Sequence, residues 1–267
     1  MVRTVFSMFS VAFKGTLRDR VLQGILATAV IFLALPSLSS LSMRQVTELS
    51  ITLSLSLISF ILLLISVFLG GTSLWKDIDR RYTFSVMGMP VSRTAYLIGR
   101  FAGIAAFVAL ISFLLGMISL AVIRYTSGIY PPNRPIVWPN VMLAILYDAL
   151  KYILLVSFAF LFSTVSTSFF LPVFGTISVF LAGNATQQVY DFVTSQSGKD
   201  FPLYVKKAAI FFYYVLPNFS AFDLKVNAVY GVALNPQGLL LTAGYFAIYL
   251  AAVLTLAAII LSRREFQ

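Results

Sequence analysis

Six apolar runs constrain the fold of this chain more than any other feature of its sequence. A helix needs about 20 apolar residues to cross the hydrocarbon core of a bilayer, and each run is at least that long. The chain of 267 residues is therefore predicted to be an all-α, polytopic membrane protein that forms one transmembrane domain over residues 1–267. The six predicted transmembrane helices lie at roughly 21–43, 50–74, 99–123, 140–162, 169–190 and 238–261.

The overall composition agrees with a membrane protein and argues against a soluble one. Hydrophobic residues make up 60% of the chain and charged residues only 10%, and a water-soluble fold cannot cover so much apolar surface with polar groups. The net charge of +10 is interpreted as an excess of cations next to membrane spans, so no nucleic-acid partner is expected. The distribution of Lys and Arg over an even number of spans predicts that both termini and the connection at 75–100 are cytoplasmic.

The chain contains no His and no Cys, and the lack of His excludes two classes of membrane-embedded protease. Intramembrane serine proteases with a Ser–His pair and metalloproteases with HExxH cannot be built without His. The GxSxG sequence of a nucleophile elbow does not occur either. We therefore predict that the chain is not an enzyme and that it has no catalytic residues and no metal site.

Residues 1–20 are predicted to form an amphipathic helix. Apolar residues recur at helical spacing along one face, and Arg, Lys and Ser occupy the other. Such a helix lies in the membrane interface, with its apolar face toward the acyl chains. It serves either as a plain anchor or as an elbow that braces the first span beside a cytoplasmic partner.

The connection between the second and third spans, WKDIDRRYTFSVMGMPVSRTAYLIGR, is the most charged part of the chain. About 25 residues exceed what a simple link needs. Alternating acids and bases suit an exposed helix, Gly88 and Pro90 would end it, and Ser92 would cap the next helix. Residues 75–98 are thus predicted to form a helix–break–helix element. Alternatively, they form a solvated loop whose cations only set the topology.

Residues 191–237 form a second unusual segment, because their apolar part is too short to cross the bilayer. Pro202 and Pro217 interrupt it, and Tyr204, Tyr213 and Tyr214 suit the depth of lipid headgroups. We predict re-entrant or interfacial outer helices before the last span.

Asp148 and Lys151 lie three residues apart within the predicted fourth span, so they share one helix face. An unpaired charge at this depth costs several kcal/mol, which forces such groups to pair or to line a polar cavity. The first possibility is a local ion pair with Lys151 snorkelling outward. The second is that Asp148, Lys151 and a serine of the second span, Ser59, line a translocation path or a seam between two copies.

The run SLWKDIDRRYTFSVMGMPVSRTAYLIGRFAG resembles the cytoplasmic segment of type-2 ABC transporter permeases, most closely the branch associated with copper-enzyme maturation. VLPNFSAFDLK before the last run and the basic C-terminal LSRREFQ are also similar to that family. The resemblance implies a permease subunit of a bacterial inner-membrane exporter. The residues implied to contact a partner ATPase are Asp77, Asp79, Arg80, Arg81, Pro90 and Arg93.

The sequence has no GxxxxGK[ST] loop to cradle a phosphate. The resemblance therefore implies that ATP and Mg²⁺ are bound by a separate ABC ATPase, in two copies, and that this chain carries no cofactor. It also implies a second permease chain, as a homodimer or a heterodimer. An ATP-independent channel or secondary transporter, and a non-catalytic membrane anchor for another complex, are the alternatives.

Overall fold

The computed structural model describes residues 2–17, 45–79, 92–132, 134–195 and 201–264, with isolated positions 23, 24, 27, 29 and 39. Within these residues the regular structure is helical and contains no strand, so the predicted all-α class is confirmed there. In chain order the elements are α1 (Val2–Leu17), α2 (Val46–Ile65), a π turn (Ser66–Gly70), α3 (Gly71–Asp79), α4 (Arg93–Ile129), α5 (Trp138–Val165), α6 (Phe170–Thr194), α7 (Leu203–Val215), a 3₁₀ turn (Phe219–Phe222), α8 (Lys225–Tyr230) and α9 (Pro236–Arg263).

Four helical segments of the described residues are long and apolar enough to cross a membrane, which makes the chain a multi-pass membrane protein. They coincide with the predicted second, third, fourth and sixth spans. The predicted fifth span corresponds to α6, which has 25 residues but is not among the four. The predicted first span, 21–43, lies almost wholly outside the described residues, so six spans stay a prediction. The four segments are Val46–Asp77, Arg93–Ile129, Trp138–Val165 and Pro236–Arg263.

Hydrogen bonds between helix termini define two ends of the bundle. At one end, which we call the Thr47 end, Thr47 Oγ1 donates to the carbonyl oxygen of Tyr130 at 2.7 Å. This bond joins the start of α2 to the residue after α4. At the other end, which we call the Asp77 end, the C-termini of α3, α5 and α9 meet the N-terminus of α4. The segment of α2 and α3, together with α5 and α9, therefore runs toward the Asp77 end, whereas α4 runs away from it.

Among the four spanning segments, α5 is the most buried and α9 the least. Leu154, Leu155 and Val156 of α5 are fully buried, as is Phe160 one turn later. The side chains of α5 therefore face neighbouring helices, whereas much of α9 is left for lipid or for another protein. Polar groups on α5 must consequently find partners inside the chain.

A π turn interrupts the segment that includes α2 and α3. Gly70 lies so close to α5 that a Cβ atom there would approach the Ala159 Cβ to 3.1 Å. Ser163 Oγ of α5 donates to the carbonyl oxygen of Gly71 at 3.0 Å. π turns in long helices often occur at functional sites, and this one separates Ser59 from Asp77.

α1 packs along the N-terminal part of α4 over two glycines one helical turn apart, Gly99 and Gly103. A Cβ at Gly103 would lie 2.6 Å from the Ala12 Cβ and 3.0 Å from the Phe9 carbonyl oxygen. This GxxxG spacing permits close backbone approach between membrane helices. The predicted helix over residues 1–20 is thus observed as α1, and its placement in the membrane interface stays a prediction.

Replacing Gly103 with leucine is expected to detach α1 from α4, because the new side chain would overlap backbone that cannot move cheaply. We expect amide hydrogen exchange in residues 2–17 to accelerate about tenfold or more, which corresponds to at least about 1.4 kcal/mol of lost protection. Gly128→Leu on the same helix is the matched control, since nothing lies within 4 Å of its added Cβ. Equal rates of amide hydrogen exchange in the two variants would show that the packing of α1 on α4 does not depend on Gly103.

The segment before the last span packs partly into the core. Phe219 and Phe222 of the 3₁₀ turn are 0% and 1% exposed, and the turn approaches α6 at Gly183. A Cβ there would lie 2.5 Å from the Pro217 carbonyl oxygen. Within 191–237 the chain therefore forms helices α7 and α8 and a buried turn, while their re-entrant or interfacial placement stays a prediction.

Candidate functional site

The side chain of Asp77 joins the end of one spanning segment to the start of the next. Its Oδ2 accepts a hydrogen bond from the Tyr96 hydroxyl at 2.6 Å and lies 2.9 Å from Arg100 Nη2. Arg100 Nη2 also donates to Oδ1 at 3.1 Å. We call Asp77, Tyr96 and Arg100 the Asp77 clamp. Its side chains are mostly buried, with Arg100 and Asp77 only 19% and 16% exposed, so the clamp is a structural link between α3 and α4.

Two arginines bind the C-termini of other helices beside the Asp77 clamp. Arg93 Nη1 donates to the carbonyl oxygens of Leu261, Ser262 and Arg264 at 3.2, 3.1 and 2.7 Å. The partial negative charge of a helix C-terminus favours a cation in this position. The N-terminus of α4 is thereby tied to the end of α9.

Arg264 continues the connection to α5. Its Nη1 donates to the Thr164 carbonyl oxygen at 2.8 Å, and its Nη2 donates to the Ser166 carbonyl oxygen at 2.8 Å. Partial burial lowers the pKa of Arg264 from its ordinary value, but a guanidinium stays charged in proteins. Arg93 and Arg264, together with the Asp77 clamp, therefore fasten α3, α4, α5 and α9 to one another at one end of the bundle.

The residues that the family resemblance assigns to a partner ATPase fall into two groups. Asp77 and Arg93 are described, and each binds other parts of the same chain as given above. Asp79 is the last residue of α3, and its side chain lies outside the described part, as do Arg80, Arg81 and Pro90 entirely. The contact with an ATPase therefore stays a prediction. The predicted cap of the following helix is confirmed, because Ser92 Oγ accepts from the Ala95 amide at 3.3 Å.

The structure brings Ser59 and Asp148 of the predicted polar set together inside the bundle. Ser59 Oγ donates to Asp148 Oδ1 at 2.9 Å and lies 3.0 Å from the Tyr152 hydroxyl. Because Ser59 gives its single hydrogen to the carboxylate, the Tyr152 hydroxyl must donate to Ser59. The bonds thus run from Tyr152 through Ser59 to Asp148, and such chains strengthen one another in a medium of low polarity.

Lys151 does not snorkel outward but is buried, with 5% of its surface exposed. Its Nζ lies over the aromatic rings of Tyr152 and Phe180, 5.5 and 5.3 Å from their centroids. A cation is attracted to the faces of aromatic rings at such distances. The ammonium and the Asp148 carboxylate remain on one helix face, so their charges still attract each other through the protein interior. We call Ser59, Asp148, Lys151 and Tyr152 the buried polar cluster.

A cleft of about 10 Å³ leads to this cluster and is also lined by Asp223 and Lys225, which precede and begin α8. That volume is close to the minimum that holds one water molecule. The cleft therefore has room for at most about one water molecule, beside Asp148. Whether the cluster lines a translocation path or a seam between two copies stays a prediction.

Two contacts were not predicted from the sequence: the partners of Asp77, and the packing of α1 on Gly99 and Gly103. Tyr96 and Arg100 were not assigned to Asp77, because partners separated by 19 and 23 residues leave no local signal. The spacing of Gly99 and Gly103, by contrast, is visible in the sequence and would have located the contact with α1.

Comparison with known proteins gives no family for this chain. No protein-family model matches it, and no curated protein is significantly similar to it.

Proposed function

We propose that this chain is the membrane-spanning permease subunit of an ABC-type exporter, driven by a separate ATPase that docks on residues 75–98 at the Asp77 end. The observation that carries the proposal is the construction of that end. The connection from α3 to α4 starts beside Asp77 and finishes beside Arg93, and both residues are anchored to other helices. A displacement of this connection by a bound ATPase would therefore move α3, α4, α5 and α9 together.

Rigid links between the helices would transmit a movement from the ATPase to the bundle. Packed cores and interfaces move as rigid bodies or switch between discrete arrangements, and they do not deform continuously. Anchors at Asp77, Arg93 and Arg264 join four helices at their ends, so the closing motion of an ATPase would be passed on as a movement of the bundle. The sequence resemblance in SLWKDIDRRYTFSVMGMPVSRTAYLIGRFAG supports the same assignment. The proposed assembly contains two permease chains and two ATPase subunits, which bind ATP and Mg²⁺, in a bacterial inner membrane with both termini cytoplasmic.

Charge reversal in the connection tests this proposal. The double variant Arg80→Glu/Arg81→Glu is expected to reduce the amount of coexpressed ABC ATPase that copurifies with the chain by about tenfold or more, because opposed like charges at an interface cost several kcal/mol. Asp77 and Arg93 are unsuitable for this test, since replacing either one would also break contacts within the fold. The measurement is the ATPase-to-permease ratio after affinity purification.

The matched control reverses two arginines near the opposite end of the bundle. Arg124 and Arg134 are both exposed, and Arg124→Glu/Arg134→Glu is expected to leave the ratio unchanged. The proposal is contradicted if both double variants lower the ratio equally. It is also contradicted if proteoliposomes with the chain alone support solute flux without ATP, a result that would favour the channel or secondary-transporter alternative.

A further inference from the structure

Asp223 is exposed although it lies beside the cleft that leads to the buried polar cluster. It stands between the 3₁₀ turn and α8, and Lys225, the first residue of α8, is half-buried beside the same cleft. These two charged residues belong neither to the Asp77 clamp nor to the cluster. Their depth in the bundle decides what can surround them.

The cleft fixes the depth of Asp223 along two spanning segments, because it is also lined by Leu55 of α2 and by Asp148 of α5. At about 1.5 Å per residue, Leu55 lies roughly 14 Å from the start of α2 and Asp148 roughly 15 Å from the start of α5. α5 has 28 residues and is therefore about 12 Å longer than a hydrocarbon core of about 30 Å. The Asp77 end takes part of this excess, since the charged Arg264 belongs outside the core. If both ends share the excess equally, Asp148 lies roughly 9 Å inside the core, and Asp223 lies beside it.

A carboxylate at that depth is not expected to face acyl chains. Charged side chains within a membrane bundle face the protein interior or a water-filled cavity, because hydrocarbon offers them no hydrogen bonds. Asp223 is exposed, so the protein interior does not surround it. Its Oδ1 accepts a hydrogen bond from the backbone amide of Lys225 at 3.1 Å, but a carboxylate has about four acceptor sites. Water is the donor that fills the remaining sites.

The charges around the cleft alternate in sign. Those of Asp223 and Lys225 act through space on Asp148 and on Lys151. Two acids and two bases within reach of one cleft balance each other, so no further ion is needed to neutralise them. Water therefore suits this place better than a bound ion does.

The opposite face of α5 provides the contrast at the same depth. Leu146 is 52% exposed. It precedes Asp148 by two residues, which places the two side chains about 160° apart around the helix. One face of α5 thus presents an apolar side chain that suits lipid, whereas the other face meets Asp223 and Lys225.

α8 forms a fixed wall that leads from the cleft to the Thr47 end. Near the start of α5, Asn140 Nδ2 donates to the carbonyl oxygens of Asn227 and Val232 at 3.0 and 2.9 Å. Ala228 of α8 is 1% exposed. Since Lys225 at the start of α8 lines the cleft and Asn227 is bound near the start of α5, the wall runs toward the Thr47 end.

We propose that water fills a recess that enters the side of the bundle from the Thr47 end, follows α8 past Lys225 and Asp223, and ends at the cleft beside Asp148. We call it the α8 recess. It brings water to the buried polar cluster from one side of the membrane. The proposal goes beyond the transport function and does not depend on it, since it holds whether or not an ATPase binds.

Single cysteines test which side chains water reaches, because the chain has no Cys of its own. Asp223→Cys and Lys225→Cys place a thiol in the α8 recess, and Leu146→Cys places one at the same depth on the opposite face of α5. A methanethiosulfonate with a fixed charge reacts with thiolates, and both ions are excluded from hydrocarbon. In proteoliposomes frozen and thawed with this reagent, we expect both recess thiols to react at least about tenfold faster than the thiol of Leu146→Cys.

A recess thiol that reacts as slowly as that of Leu146→Cys would overturn the proposal. The two recess variants remove opposite charges, so any attraction or repulsion of the reagent by local charge changes in opposite directions. Melting temperatures that match the unsubstituted chain show that a variant folds, and either recess variant alone decides the outcome.

Sealed vesicles of uniform orientation test the direction of the α8 recess. Arg134→Cys, exposed before α5, and Arg263→Cys, exposed at the end of α9, mark the two sides of the membrane. Reagent added to one side is expected to modify Asp223→Cys only where it also modifies Arg134→Cys. Modification from the side of Arg263→Cys would overturn the assignment of the entrance to the Thr47 end.

Discussion

Replacing Arg100 with methionine is expected to lower the free energy of unfolding by about 3 kcal/mol, because it leaves the Asp77 carboxylate with its main counterion removed. The ion pair is 2.9 Å long and its side chains are mostly buried, which places it among the pairs whose disruption is costly. The Tyr96 hydroxyl still donates to Asp77, which limits the loss. Denaturant unfolding in mixed micelles, followed by circular dichroism, measures the effect.

The control for this prediction lies on the same helix. Arg124 is exposed near the other end of α4, and Arg124→Met is expected to change the free energy of unfolding by less than about 0.5 kcal/mol. The double variant Asp77→Asn/Arg100→Met removes both charges and is expected to recover at least half of the loss. If the double variant loses as much as the two single variants together, Asp77 and Arg100 are not coupled.

Four of the six predicted spans correspond to long apolar helices of the described residues, because the signal for such helices is local. α5 and α9 were predicted at roughly 140–162 and 238–261, and the structure places them at Trp138–Val165 and Pro236–Arg263. α4 is longer than its apolar run, since it begins at Arg93 after the Ser92 cap. Hydropathy finds the part of a helix that lies in the hydrocarbon core, while caps and polar turns extend it beyond that part.

The sequence predicted that Lys151 belongs to the polar site, but it did not predict that the side chain is buried over aromatic rings. Sequence spacing placed Asp148 and Lys151 on one face of α5, but it could not show which neighbour that face meets. The ring of Phe180, from α6, and the hydroxyl of Ser59, from α2, are supplied by other helices. Tertiary packing therefore decides that Lys151 is buried over aromatic rings, because a helix face alone does not fix whether a long side chain points inward or toward the interface.

The two ends of the bundle differ in the kind of hydrogen bond that joins their helices. At the Asp77 end, charged groups bind helix termini and one another. At the Thr47 end, the bonds are neutral: the Asn140 amide donates to the carbonyl oxygens of Asn227 and Val232, and the Tyr147 hydroxyl donates to the carbonyl oxygen of Leu239. Charge-assisted hydrogen bonds are stronger than neutral ones. The bundle is therefore expected to open more easily at the Thr47 end.

Replacing Asp148 with leucine is expected to lower the free energy of unfolding by about 3–5 kcal/mol, because it leaves the Lys151 charge buried without its main carboxylate partner. It also removes the acceptor at the end of the bonds from Tyr152 and Ser59. Denaturant unfolding in mixed micelles is again the measurement. Thr52 of α2 supplies the control, because it is exposed and its hydroxyl donates to the Glu48 carbonyl oxygen of its own helix. Thr52→Val is expected to change the free energy of unfolding by less than about 0.5 kcal/mol.

The double variant Asp148→Leu/Lys151→Met separates the two interpretations of the cluster. Removing both charges leaves no unpaired ammonium buried in the bundle. The free energy of unfolding is therefore expected to return to within about 1 kcal/mol of that of the unsubstituted chain. In the transporter proposed above, a cluster that serves only stability would allow ATP-driven export to be restored together with the stability. If the cluster lines the translocation path, the double variant is as stable as the original chain yet exports at least about tenfold more slowly, because the polar groups that meet the substrate are gone.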